Sequence, residues 1–130
     1  MDTAHFTGSS TFTRWSPIHA GVLTEGALHV AETAGAYWLF DLAASYMPEH
    51  DDYFAVCTLR VQPTVIEGSE DPDYPDGEYA AVAELDDGNG NIFARQPIVF
   101  TDFPEKEFSF FVGRYGERND AWTYMLKTEY

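Results

Sequence analysis

Four histidines, one cysteine and 22 carboxylates are the groups from which chemistry could start in this chain. His5, His19, His29 and His50 stand far apart, without the i, i+4 pairing through which a helix offers two imidazoles to one zinc ion. No metal site and no cofactor are expected. Asp87, Asn89 and Asn91 set oxygen ligands at alternate positions like the opening of a calcium loop, but Ile92 stands where that loop needs Gly and Ile98 where it needs a bidentate Glu. The segment reads as a hairpin turn. Gly88 and Gly90 are not followed by a helix start, so they make no phosphate-binding loop. Ser45 and Ser109 lack a nucleophile-elbow context, and no histidine is placed in sequence to activate them. Carboxylate pairs of the glycosidase kind arise by chance among so many acids, so no pair is singled out. The expectation is a protein that binds and does not catalyse.

Against 22 Asp and Glu stand seven Lys and Arg, a formal net charge of −15. A surface that acidic repels phosphate, which excludes direct nucleic-acid binding and favours a basic partner. Residues 67–78 hold Glu67, Glu70, Asp71, Asp73, Asp76 and Glu78 among Gly, Ser and Pro, with no base. Such composition makes a solvated loop that discourages edge pairing. Further acids gather at strand ends: Asp51 and Asp52 with Glu49, Asp86 and Asp87 with Glu84, and Asp102 with Glu105 and Glu107. Carboxylates two apart on an extended chain are separated by about 6.6 Å, close to the repeat of phosphates along a nucleic-acid strand. Acidic rims of this kind fit a groove built for DNA. Glu67, Glu70, Asp71, Asp73, Asp76 and Glu78, with Asp51, Asp52, Asp86 and Asp87, are therefore the candidate partner-binding residues. The partner expected is a basic nucleic-acid-binding protein or complex. The rival reading assigns the charge to solubility, including life in concentrated salt, because Lys106 and Lys127 are the only lysines.

The elements that must position these groups fit one domain over residues 1–130, with 45% hydrophobic and 16% aromatic residues to build its core. Residues 1–22, with Phe6, Phe12 and Trp15, read as short extended pieces lying on the body. Thr24 followed by Glu25 is a helix start, and the helix is predicted to run to Ala34, with Gly35 as its break. A second helical segment, Ala36–Ser45, carries Trp38 with Leu42 and Leu39 with Ala43 at helical spacing, and Pro48 ends it. From Tyr53 the period becomes two, with Ala55, Cys57 and Leu59 on one face. Further strands are predicted at Tyr79–Leu85, at Ile92–Phe100, around Phe108–Val112 and around Trp122–Leu126. Pro97 places the Ile92–Phe100 strand at an edge or a bulge. The fold class is α+β: an N-terminal helical pair packed on an antiparallel sheet of about five strands. Cys57, alone and inside an apolar run, reads as a buried small hydrophobe in a reducing compartment. No signal peptide is seen, and the apolar stretch Ala34–Ala44 is too short to span a membrane and is broken by Asp41. A soluble cytoplasmic protein is expected.

Thr24, Glu25, Gly26 and Ala27, followed by the run Ala31–Ser45 with Gly35, Tyr37, Trp38, Leu39 and Asp41, resemble a family of short acidic proteins of unknown function carried on phages, plasmids and other bacterial mobile elements. Asp87–Asn91, then Ala94, Gln96 and Ile98, then Thr101–Pro104 are similar to that family's other signature, and Glu129 with Tyr130 to its ending. The resemblance covers residues 20–130 and departs from the family in the acidic insertion at 67–78. It brings no catalytic residues. What it implies is context, since such accessory proteins include inhibitors of host defence such as anti-CRISPR proteins. Tyr37, Trp38 and Leu39 read as core residues that specify the fold. The function expected is a non-enzymatic inhibitor of a host defence system, of anti-CRISPR type, acting in the bacterial cytoplasm as an acidic DNA mimic on a basic DNA-binding surface. The alternative is an acidic plasmid-maintenance accessory whose charge serves solubility.

Overall fold

The computed structural model describes residues 12–15, 21–50, 54–72, 74–114 and 122–129. Along them run β1 (Phe12–Thr13), β2 (Gly21–Thr24), α1 (Glu25–Thr33), α2 (Tyr37–Tyr46), a 3₁₀ turn (Met47–Glu49), β3 (Phe54–Arg60), β4 (Thr64–Ile66), β5 (Gly77–Tyr79), β6 (Ala81–Asp86), β7 (Ile92–Ile98), β8 (Glu107–Gly113), β9 (Trp122–Leu126) and a closing 3₁₀ turn (Lys127–Glu129). Seven strands form one sheet in the order β1-β2-β9-β8-β3-β6-β7, while β4 and β5 make a separate ribbon. All neighbours are antiparallel except β2 and β9, which are parallel.

The α+β class holds, with two corrections. The sheet has seven strands where about five were expected, and the helices follow a strand instead of leading the fold. Gly21–Thr24 is short and buried throughout, so it shows no alternation. Besides the nearby β1, it pairs with β9 about a hundred residues on, a pairing that leaves no local trace. Gly21 permits that pairing, because a Cβ there would stand 2.8 Å from the Tyr124 ring.

Thr24 ends β2 and caps α1, its Oγ1 accepting from Ala27 N–H at 3.3 Å. At the other end Gly35 takes φ +60°, and the N–H of Ala36 reaches back to the Ala31 carbonyl at 2.9 Å, the closure that lets a chain leave a helix sharply. The two predicted helices are therefore placed within a residue or so. Pro48 does not stop the second one dead; it lies in the 3₁₀ turn that continues it.

A second contact locks α1 from afar. Glu129 Oε1 accepts from Thr24 Oγ1 at 2.6 Å and from Leu126 N–H at 2.9 Å, and its Oε2 accepts from Gly26 N–H at 3.0 Å. A carboxylate thus sits on the free donors at the positive end of the helix. Gly26 makes room for it, since a Cβ there would lie 2.5 Å from Glu129 Oε1 and 2.6 Å from Leu126 Cδ1.

The core lies between the helices and one face of the sheet. Ala27, Val30, Ala31, Leu39, Phe40 and Ala43 from the helices are fully buried. They meet Ala55, Cys57 and Leu59 of β3, Ala81, Ala83 and Leu85 of β6, and Phe110 and Val112 of β8. Register makes the face continuous, with Cys57 opposite both Leu85 and Phe110. The period-two reading of β3, β6 and β8 is borne out. Phe40 packs at 4.6 Å on Phe110 and edge-on at 6.4 Å to Tyr124. Trp15 closes the side, its ring 4.9 Å from Tyr124 and its Nε1 donating to Asp41 Oδ1 at 2.7 Å. No helix among the described residues is long and apolar enough to cross a membrane.

Candidate functional site

The acidic stretch is not a plain loop. Thr64, Val65 and Ile66 pair with Tyr79, Glu78 and Gly77, so Glu67–Asp76 is the tip of a hairpin. Tyr79, read as the first residue of the next core strand, belongs to this ribbon, and the core strand starts at Ala81. Inside the tip Asp76 Oδ1 accepts from Ser69 N–H at 2.8 Å, and Asp71 N–H donates to Ser69 Oγ at 3.2 Å. Tyr79 OH donates to the Pro75 carbonyl at 2.9 Å. Asp76 therefore has a job within the hairpin. Glu67, Glu70 and Glu78 are exposed.

The remaining candidates fall elsewhere. Asp86 pairs with Val56 near the start of β3, whereas Arg60 at its far end pairs with Glu107, so the Asp86–Asn91 turn and the hairpin leave opposite ends of the sheet. The rise of β3 puts roughly 20 Å between those ends. Asp51, Asp52 and Asp73 lie outside the described residues. Asp86 and Asp87 serve their own turn. Asp86 Oδ1 accepts from Gly88 N–H at 2.7 Å, and Asp87 Oδ1 accepts from the N–H groups of Asn89 at 2.9 Å and Asn91 at 3.2 Å. Asp87 Oδ2 takes the Asn91 side-chain amide at 2.8 Å. This amide and the two N–H groups hold the Asp87 carboxyl below the usual aspartate value. Gly88 and Gly90, both at φ +88°, make the turn possible. Glu84, grouped with these acids in sequence, stands mid-strand instead, 2.8 Å from Arg60 Nη1 and 3.5 Å from Arg95 Nε.

The hairpin nevertheless folds back along the sheet. Asp71 and Tyr74 face Tyr46 and residues Ile92–Arg95 across an open cleft of about 420 Å³. Because Ile92 is the register partner of Asp86, the tip brings Asp71 toward the end of the sheet where Asp86 and Asp87 sit. Among the described residues, Asp71 is the hairpin acid that lines this cleft. Tyr46 OH donates to Gln96 Oε1 at 2.8 Å and ties α2 to β7.

Among the described residues, several groups with nucleophilic or acid–base potential are in structural use, while His5 and His19 lie outside the described residues. Cys57 is fully buried, and burial, with Asp86 nearby, pushes its thiol up and keeps it protonated. Ser45 Oγ donates to the Leu42 carbonyl at 2.6 Å, and Ser109 Oγ lies 3.1 Å from Thr58 Oγ1. His50 stacks on Phe93 at 4.1 Å, with Nε2 2.9 Å from the Phe54 carbonyl. Of the Tyr37–Trp38–Leu39 motif, Leu39 is core and Trp38 packs against it, while Tyr37 is 37% exposed. Sequence reasoning missed one surface altogether: Val99 is 76% and Phe100 78% exposed, just past the end of β7. The only signal for them was Pro97, which marked the strand they follow as an edge.

No curated protein and no solved structure matches the chain. A family model does, and it covers all 130 residues, the acidic hairpin included. The Thr24–Ala27 and Glu129 lock, the Gly35 break and the Asp87–Asn91 turn, all parts of the quoted signatures, hold this fold together. Matching over residues 1–130, the chain belongs to DUF6876, a family of unknown function.

Proposed function

We propose that the chain is a non-enzymatic inhibitor of a bacterial defence system, of anti-CRISPR type, that presents folded carboxylates to a basic DNA-binding surface in the host cytoplasm. One observation carries the reading. The acid-rich hairpin is a structured ribbon standing beside the sheet, with Glu67, Glu70 and Glu78 exposed on it and no base within residues 67–78. A fixed array of charge steers association and meets a cationic groove without the ordering cost of a flexible tail. The mobile-element setting comes from the resemblance of the signatures.

The test is phage plaque formation on bacteria carrying an active CRISPR system, with the chain supplied in trans as wild type or as the triple variant Glu67→Lys, Glu70→Lys, Glu78→Lys. These positions avoid Asp76, Asp86 and Asp87, whose carboxylates hold backbone turns. Protection by wild type and its loss in the folded triple variant is the expected result. Equal protection by both ends the mimic reading. A second reading, charge for solubility alone, draws on the internal use of Asp76, Asp86 and Asp87, and predicts no protection by either form.

A further inference from the structure

Between β7 and β8 the chain must pass the ends of β6 and β3, which stand between them in the sheet. This span, residues 99–106, is tied down along its length. The Ile98 carbonyl before it accepts from Ala80 N–H at 2.8 Å, and its last carbonyl, that of Lys106, accepts from Val61 N–H at 2.7 Å. In its middle Phe103 is buried and packs on Phe108 at 5.3 Å, while its N–H donates to Thr101 Oγ1 at 3.1 Å. The span thus has its own apolar anchor, and the fold needs no other from it. Yet Val99 and Phe100 are adjacent and stand out into solvent, the two most exposed of the large hydrophobics among the described residues. Lone exposed hydrophobics are ordinary, but a neighbouring pair raised on a fixed span marks a contact surface. Asp102, Glu105 and Glu107 on the same segment are exposed as well. Unlike Asp76, Asp86 and Asp87, none of the three is held in a hydrogen bond or an ion pair among the described residues. Lys106 is the one base of residues 99–107, against these three acids.

We propose that Val99 and Phe100 are the apolar anchor of a protein interface, received by the apolar face of a partner protein's helix that carries Lys or Arg along its flanks. Apolar anchors at the centre with charges at the rim are the usual anatomy of such a contact. A helix suits this surface because residues 99–106 form no strand, so an extended segment finds no row of backbone groups to pair with. A helix satisfies its own backbone and offers side chains alone, with hollows between its apolar residues that take a knob such as Phe100. Its basic flanks meet Asp102, Glu105 and Glu107. A second copy of the chain is disfavoured as occupant, because it brings a body of charge −15 against carboxylates. Neither anchor residue belongs to the acidic hairpin, so this surface stands whether or not the DNA-mimic reading does.

The experiment titrates the isotope-labelled full chain with a helical peptide of Ala, Leu and Lys, its Leu at i, i+3, i+4 and i+7 and its Lys on both flanks, following amide shifts. Shifts centred on residues 99–107 are expected, and none from the same peptide with Glu for Lys. Val99→Ser with Phe100→Ser is expected to weaken binding about thirtyfold, as loss of an interface hot spot does, at an unchanged thermal midpoint. Asp102→Asn with Glu105→Gln and Glu107→Gln is expected to flatten the salt dependence of binding. Shifts confined to the hairpin, or equal binding of a peptide with Ser for Leu, would mean diffuse charge attraction and overturn the proposal. A fall in the midpoint of the double Ser variant would show that the pair serves the fold and would overturn it. So would binding by that variant at full strength, an unaltered salt dependence in the triple variant, or no binding at all. Shifts at Val99 and Phe100 that follow protein concentration without peptide would make the occupant a second copy and overturn it too.

Discussion

Glu129 and Gly26 show how much one carboxylate can hold. Three donors converge on Glu129 from residues up to 105 positions away, and only a glycine at position 26 leaves space for it. Hydrogen bonds to a charged group are the stronger ones, so Glu129→Ala should cost about 2 kcal/mol of stability, read as a lower urea midpoint at unchanged slope. Gly26→Ala should cost a similar amount, because the new methyl takes the place of the carboxylate. The double variant should cost little more than either single one, since both open the same lock. Additive losses would mean that the two residues act separately. Sequence showed Gly26 and Glu129 as parts of a signature, but their partnership spans nearly the whole chain and was not legible there.

The β6–β7 hairpin offers a prediction at the level of an element. Asp87 is held below the usual aspartate value by the Asn91 amide and two N–H groups. Its contribution to the turn is therefore fully present above the ordinary value of about 3.9 and is lost as pH falls through the lower folded value. In a carboxyl-carbon titration by NMR, Asp87 should have a midpoint below that ordinary value, and Asn91→Ala should move it back up. An unshifted Asp87 would deny the turn its carboxylate cap. This turn was readable in advance from Asp87, Gly88 and Asn89, as were the cap at Thr24, the break at Gly35 and the alternation through Ala55, Cys57 and Leu59. Each of those signals is local. What escaped was non-local or masked by composition: β2 has no period, and the β-branched run Thr64–Ile66 was overshadowed by the acids that follow it. The candidate site was legible as composition only. Which carboxylates serve turns and which face outward depends on backbone donors that the sequence does not display, and the apolar border of β7 emerges only once the strand order is known.

At the scale of the whole molecule, a charge of −15 on 130 residues opposes its own compaction. Added salt shortens the range of that repulsion, so the thermal midpoint should rise with sodium chloride, by about 4 °C for each kcal/mol relieved in a domain of this size. A midpoint indifferent to salt would show the charges to be spaced widely enough not to matter. The strand order adds something about time. β9 follows every other described strand in sequence yet lies inside the sheet, between β2 and β8. Until the ribosome has released residues 122–126, β2 and β8 each expose a bare margin, and α1 waits for Glu129. A chain cut before residue 122 would thus carry those two bare margins in addition to the edge at β7.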